Sequence, residues 1–172
     1  MTIRRLRTPP DSPFLGDLRR FAYWDSHDAP QTRTDLRMVE IYHALFAHHP
    51  RWALRLLRLR DWLVRPFGLR PSMSSIDEPI ELKDAYQIGD RMARFTLLAQ
   101  SDDEIVTGGD DRHLDFRVAV RRVSGDDGTR VVLSTVVSPH NLLGRAYLCA
   151  VLPFHSLGIR RMLSNAVIAR RI

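Results

Sequence analysis

The sequence predicts a single α+β domain, on three observations: an alternating hairpin within residues 110–141, a helical apolar spacing from residue 35, and a long apolar helix after residue 141. In the hairpin's first arm Leu114, Phe116, Val118 and Val120 alternate with Asp115, Arg117, Ala119 and Arg121. That period of two sends apolar and polar side chains to opposite faces of a strand. The second arm, residues 130–137, is β-branched at Val131, Val132, Thr135, Val136 and Val137, as a strand inside a sheet would be. Between the arms SGDDGT joins glycines, which tolerate positive φ, to aspartates that bond nearby amides, so the chain can reverse tightly.

Taken in order, residues 1–13 are polar and carry Pro9, Pro10 and Pro13, a flexible start that orders only by docking; residues 14–172 make the one domain. Residues 18–24, LRRFAYW, read as a first strand, and SHDAPQTRT after them reads as a loop by its density of Ser, Asp and Pro. Thr34 or Asp35 can cap a helix in which Met38, Ile41, Tyr42, Leu45 and Phe46 share one face. Pro50 interrupts it, and a second helix runs from Arg51 to about Val64 with Arg51, Arg55, Arg58 and Asp61 on one side. Arg60 falls on the other, apolar side. A guanidinium there must reach out to water or meet a carboxylate, so it is either half of a structural ion pair or an anchor for a ligand.

Residues 73–90, MSSIDEPIELKDAYQIGD, form a surface excursion rich in turn residues. Residues 94–100 and 104–107 are strands that join the sheet ahead of the hairpin, for five or six strands in all. The closing helix is capped by Asn141. It is apolar on most sides to Leu157 and amphipathic afterwards, so its first half should be enclosed and its last turns wet, with a bend at Pro153.

With 172 residues the chain can bury roughly two thirds of its unfolded surface without a staple. Cys149 is alone, and the three arginines of the first seven residues precede no apolar run, so the sequence suggests a cytoplasmic protein with neither leader nor transmembrane segment. The charge of +6 invites nucleic acid, but Lys83 is the only lysine and the arginines are scattered with no interleaved aromatics; nucleic-acid binding is not expected. There is no glycine-rich phosphate loop, HExxH, CxxC or GxSxG, and no metal or other cofactor is implied.

The polar residues in unusual company are the candidates for a site: Arg60, Asp115, Arg117, His140, Arg145, Tyr147 and His155. His155 shares a helix face with Leu148, Val151, Ile159 and Met162 and so should point inward. It is a satisfied core imidazole or, if the protein is an enzyme, His155 or Asp115 is the general base, with Arg145 or Arg60 steadying the oxyanion. Arg145 needs an acid, for which Asp111 and Asp115 are available. His113 with Asp115 shares a strand face at a spacing that surface strands often show without a metal.

The segments HHPRW, LRLRDWLVRPFGLR, GGDDRHLDFRVAV and STVVSPHNLLGRAYL, in this order and with PFH after them, resemble a bacterial family designated domain of unknown function 2867, from about residue 14 to the end. The resemblance implies architecture: a helix-grip fold akin to START domains, polyketide cyclases and the birch allergen, in which a curved antiparallel sheet wraps a long C-terminal helix beside an apolar tunnel. Such folds serve both carriers and enzymes. The expectation is a domain that binds a hydrophobic or amphipathic small molecule between sheet and helix, against walls such as Phe95, Phe116, Leu148 and Val151. The alternative is a cyclase or dehydratase with a cavity His or Asp as base. A membrane or partner role for the Arg-rich helix at 51–65 ranks last, because the core should consume its apolar side.

Overall fold

The computed structural model describes residues 2–7, 11–48, 82–126 and 128–172. In chain order the elements are β1 (Arg4–Arg5), a 3-10 turn (Leu18–Arg20), β2 (Tyr23–Pro30), α1 (Met38–Phe46), β3 (Arg91–Met92), β4 (Phe95–Gln100), β5 (Glu104–Asp110), β6 (Leu114–Gly125), β7 (Gly128–Pro139) and α2 (Leu142–Ile168). The strands make one curved antiparallel sheet of seven, in the order β1-β2-β7-β6-β5-β4-β3. The first long strand therefore returns to lie beside the last.

The β6–β7 hairpin forms as its sequence implies. Leu114 pairs with Pro139 at one end and Gly125 with Gly128 at the other, and Gly128 takes the positive φ (97°) that the reversal needs. Val118, Val120, Val131 and Leu133 face the main core with α1 and the end of α2, while Ala119 and Val136 face a second, smaller cluster built on Leu15. Both faces of the hairpin are thus covered, the outer one by residues 15–24.

Several elements differ from the sequence reading. Residues 18–24 are a 3-10 turn followed by the start of β2, and the expected loop SHDAPQTRT is mostly strand, paired with β7 from Tyr23↔Val137 to Pro30↔Arg130. Turn formers are tolerated because β7 satisfies the backbone and because Pro30 lies at the strand's last position. Within the expected flexible start, Arg4–Arg5 adds an edge strand, held by Arg4 on Asp28. The cap of α1 is Arg37, whose amide donates to Glu40 (2.7 Å), rather than Thr34 or Asp35. The second expected helix, and Arg60 with it, lies outside the described residues.

The burial of α2 is the reverse of the expectation. Among its 27 residues Leu163, Ala166 and Val167 are buried, near the C-terminus, whereas in the first half only Gly144 is. The helix starts against the β5–β6 turn: Asn141 caps Gly144 and also donates to the Arg112 carbonyl. A methyl at Gly144 would run into the His113 carbonyl, so the helix end can approach this closely only without a side chain. From there α2 passes along β2 and β7, at one side of the sheet, and only its last turns sink under α1. Among the described residues nothing covers the outward side of its first half, where Leu142 and Phe154 are exposed.

Candidate functional site

Alternation along β2 places Tyr23, Asp25 and His27 on the face that α2 covers, with Thr135 of β7 directly opposite Asp25. From the helix, His155 brings its Nε2 to 3.5 Å from Asp25, and the Ser156 hydroxyl lies 3.2 Å from His27 Nε2. His27 Nδ1 stands 3.8 Å from the other Asp25 oxygen, and the rings of Tyr23 and His155 meet edge to face at 6.5 Å. The side chains of Asp25 and His27 are fully buried, while that of His155 is 23% exposed. His155, with Tyr23 and Ser156, is thus a partly exposed member of a cluster whose acid and second imidazole are buried.

Within the described residues, neither oxygen of Asp25 has a hydrogen bond of normal length; nor has His27 Nδ1, His155 Nε2 or the Thr135 hydroxyl. Native interiors rarely leave so many polar atoms unsatisfied together. Burial alone would raise the Asp25 carboxyl, but the His155 imidazole, then that of His27 and the Tyr23 hydroxyl, outweigh it and hold the group below the usual carboxylate range. Burial pushes His27 down, only partly opposed by Asp25, so this ring is neutral. Tyr23 is raised to about 12 by burial and by the adjacent carboxylate and keeps its proton. The cluster is thus an ionised, under-bonded acid ringed by groups that can give or take a proton.

The sequence Ser156–His27–Asp25 has the order of an acyl-transfer triad. Ser156 sits in mid-helix, however, where the neighbouring amides belong to the helix ladder and none is free to hold an oxyanion. Proton transfer and hydrogen bonding to a guest remain as the chemistry this geometry can do. Among the described residues no group of three or more His, Cys, Asp or Glu is arranged to hold a metal.

Of the described residues singled out in the sequence, only His155 reaches this cluster. Asp115 and Arg117 occupy the face of β6 opposite Phe116 and Val118: Asp115 pairs with His140 (3.0 Å) and Arg117 with Asp110. His113 lies beside Asn141 (3.1 Å), at the helix start. Arg145 is exposed, and Asp115, one of its two expected partners, is taken by His140. Tyr147 is half-buried on α2. Tyr23, Asp25, His27 and Ser156 are not singled out by the sequence, because the expected strand stops at Trp24, just short of Asp25, and His27 falls in the expected loop. Their spacing of two, Tyr-x-Asp-x-His, was the available signal.

Along the side of α2 that carries His155, the residues Leu148, Val151, Leu152, Ser156 and Ile159 are all half-buried, and beyond Gly144 full burial resumes only at Leu163. Phe95 and Phe116, in contact at 5.1 Å, are likewise half-buried on the sheet's inner face. A groove of about 630 Å³ lies elsewhere, lined by Leu36, Arg37, Tyr86, Gln100, Ile105 and Arg122 among others, with no wall from α2. It is open and flanked by Asp35, Asp84 and Asp102, which suits a greasy guest poorly.

Comparison with known proteins reaches only the level of family. Residues 18–162 match the family described as "Protein of unknown function (DUF2867)". The chain belongs to this family. No curated protein and no solved structure matches it. Among the described residues of the DUF2867 chain, the cluster on β2 and α2 is where a buried acid meets two histidines.

Proposed function

We propose that this DUF2867 chain is a helix-grip domain that takes a hydrophobic or amphipathic small molecule between the inner face of the sheet and the first half of α2. The return of β2 beside β7 and the closing helix laid over the pair support the helix-grip reading. The observation that carries the proposal is the under-bonded Asp25, ionised at the inner end of a helix face that stays half-buried from Leu148 to Ile159. A ligand with a hydrogen-bond donor at one end would satisfy the carboxylate while its apolar part covers Phe95, Phe116 and the helix.

The contact between His155 and Asp25 favours a second reading, an enzyme of the cyclase or dehydratase kind. His155 would remove a proton next to a carbonyl, and Asp25 would orient the imidazole and steady its charge. Native mass spectrometry of protein purified from its host tests the binding proposal: a retained small molecule is expected, and an empty protein counts against it. Replacing His155 by Gln then separates the readings. A carrier keeps its ligand, whereas an enzyme binds but loses turnover.

A further inference from the structure

The turns of α2 that send His155 and Ser156 inward present a different surface outward. At 100° per residue Leu142, Cys149, Pro153, Phe154 and Leu157, with two alanines between them, gather on one side, and all are exposed, Leu142 at 80% and Phe154 at 62%. At 1.5 Å per residue the strip is about 22 Å long. Arg145 borders it near one end and Arg160 and Arg161 close it at the other, all three exposed. No Asp or Glu occurs anywhere in the helix, in a chain of net charge +6.

We propose that this strip docks the domain on the surface of an anionic phospholipid bilayer, with α2 lying in the headgroup plane, its leucines and Phe154 among the acyl chains and its arginines on phosphates. Charge decides the occupant. A second copy laid strip to strip, parallel or antiparallel, would bring arginines together at the ends with no acid on either helix to offset them. A bilayer with negative headgroups offers both the apolar layer and the counter-charge. Although α2 is long and apolar enough to cross a membrane, crossing would pull Leu163, Ala166 and Val167 from the core and break the contact of Ser156 with His27. The helix lies on the membrane instead. This proposal concerns the outward side of α2 and does not depend on what, if anything, the inward side binds.

Co-sedimentation of the full chain with vesicles of phosphatidylcholine, alone or mixed with phosphatidylglycerol, tests it. The protein should pellet with the mixed vesicles only and be released at about 1 M salt, where surface charges are screened within roughly 3 Å. Replacing Arg145 or Arg160 by Ala should weaken binding about fivefold each. The exposed pair Phe154→Glu and Leu157→Glu should weaken it more than tenfold with an unchanged melting temperature. Should the pair fail to fold, the arginine variants and the salt and lipid dependence decide. No pelleting overturns the proposal, as does pelleting indifferent to salt and to phosphatidylglycerol, tighter binding to a soluble acidic polypeptide than to vesicles, or a dimer that the glutamate pair dissolves while vesicles stay unbound.

Discussion

Asp25 and Asp28 lie on the same strand, both buried, and their surroundings could hardly differ more. On the outer face, the Arg4 guanidinium reaches Asp28 at 2.7 Å and Arg130 Nε reaches it at 2.6 Å. Burial would raise that carboxyl, and the two arginines more than reverse it. On the inner face Asp25 meets imidazoles at 3.5 and 3.8 Å and has no hydrogen bond of normal length within the described residues. An acid locked by arginines is a structural clamp. One left with histidines can exchange its partner or a proton, which is what a binding or catalytic group must do.

The largest test of that contrast removes the clamp. Asp28→Ala leaves the two arginines without their shared acid and should cost about 3 kcal/mol in urea unfolding, the low end for a broken buried pair because Arg4 is half exposed. A loss below about 1 kcal/mol would show that the outer face is not held this way, since that is the range of an ordinary surface pair. A smaller effect is expected one residue away from Asp25. Ser26 and Ser134 share a buried hydrogen bond of 2.8 Å, so Ser26→Ala strands a hydroxyl and should cost about 1–2 kcal/mol. Adding Ser134→Ala should return most of it; if the two losses simply add, the bond contributes nothing.

The contrast also explains what the sequence disclosed. The hairpin, β4 and α1 were legible because their apolar residues repeat at the period of the element, and that period is set by burial against a core. The strand β2 was not, since both its faces bury polar groups: Ser26 and Asp28 bond across to β7 and β1, and Asp25 and His27 face α2. Such a strand carries the composition of a loop, and nothing local reveals that distant arginines and serines complete it. For α2 the apolar pattern was read correctly as a helix. Hydrophobicity alone predicts burial of its first half, whereas the path along β2 and β7 leaves Leu142 and Phe154 in solvent and encloses Leu163. His155 was placed inward by its periodicity, as found, but its partner could not be named while β2 was unread.

The smallest expected change in stability comes from the inner acid, and it carries a signature in pH. Asp25→Asn keeps the shape and should alter stability by about 1 kcal/mol or less at pH 8, because no hydrogen bond of normal length is lost. In the native protein His27 sits below its ordinary value of 6.5, so the unfolded chain takes up that proton first and stability falls as pH drops below about 6.5. The Asp25 carboxylate, itself held below 3.8, limits this by favouring the charged imidazole; its own contribution is lost only at still lower pH, as it protonates in the fold. With Asn in its place, burial acts on His27 with less opposition and its folded value drops further. The gap between folded and unfolded values widens, so the two stability curves should run together just below pH 6.5 and part once the native His27 takes up its proton, the variant losing more from there down. Melting temperatures followed downward from pH 6.5 for both proteins check this. Parallel curves would mean that Asp25 does not act on His27, and the inner acid would then be as inert as the outer one.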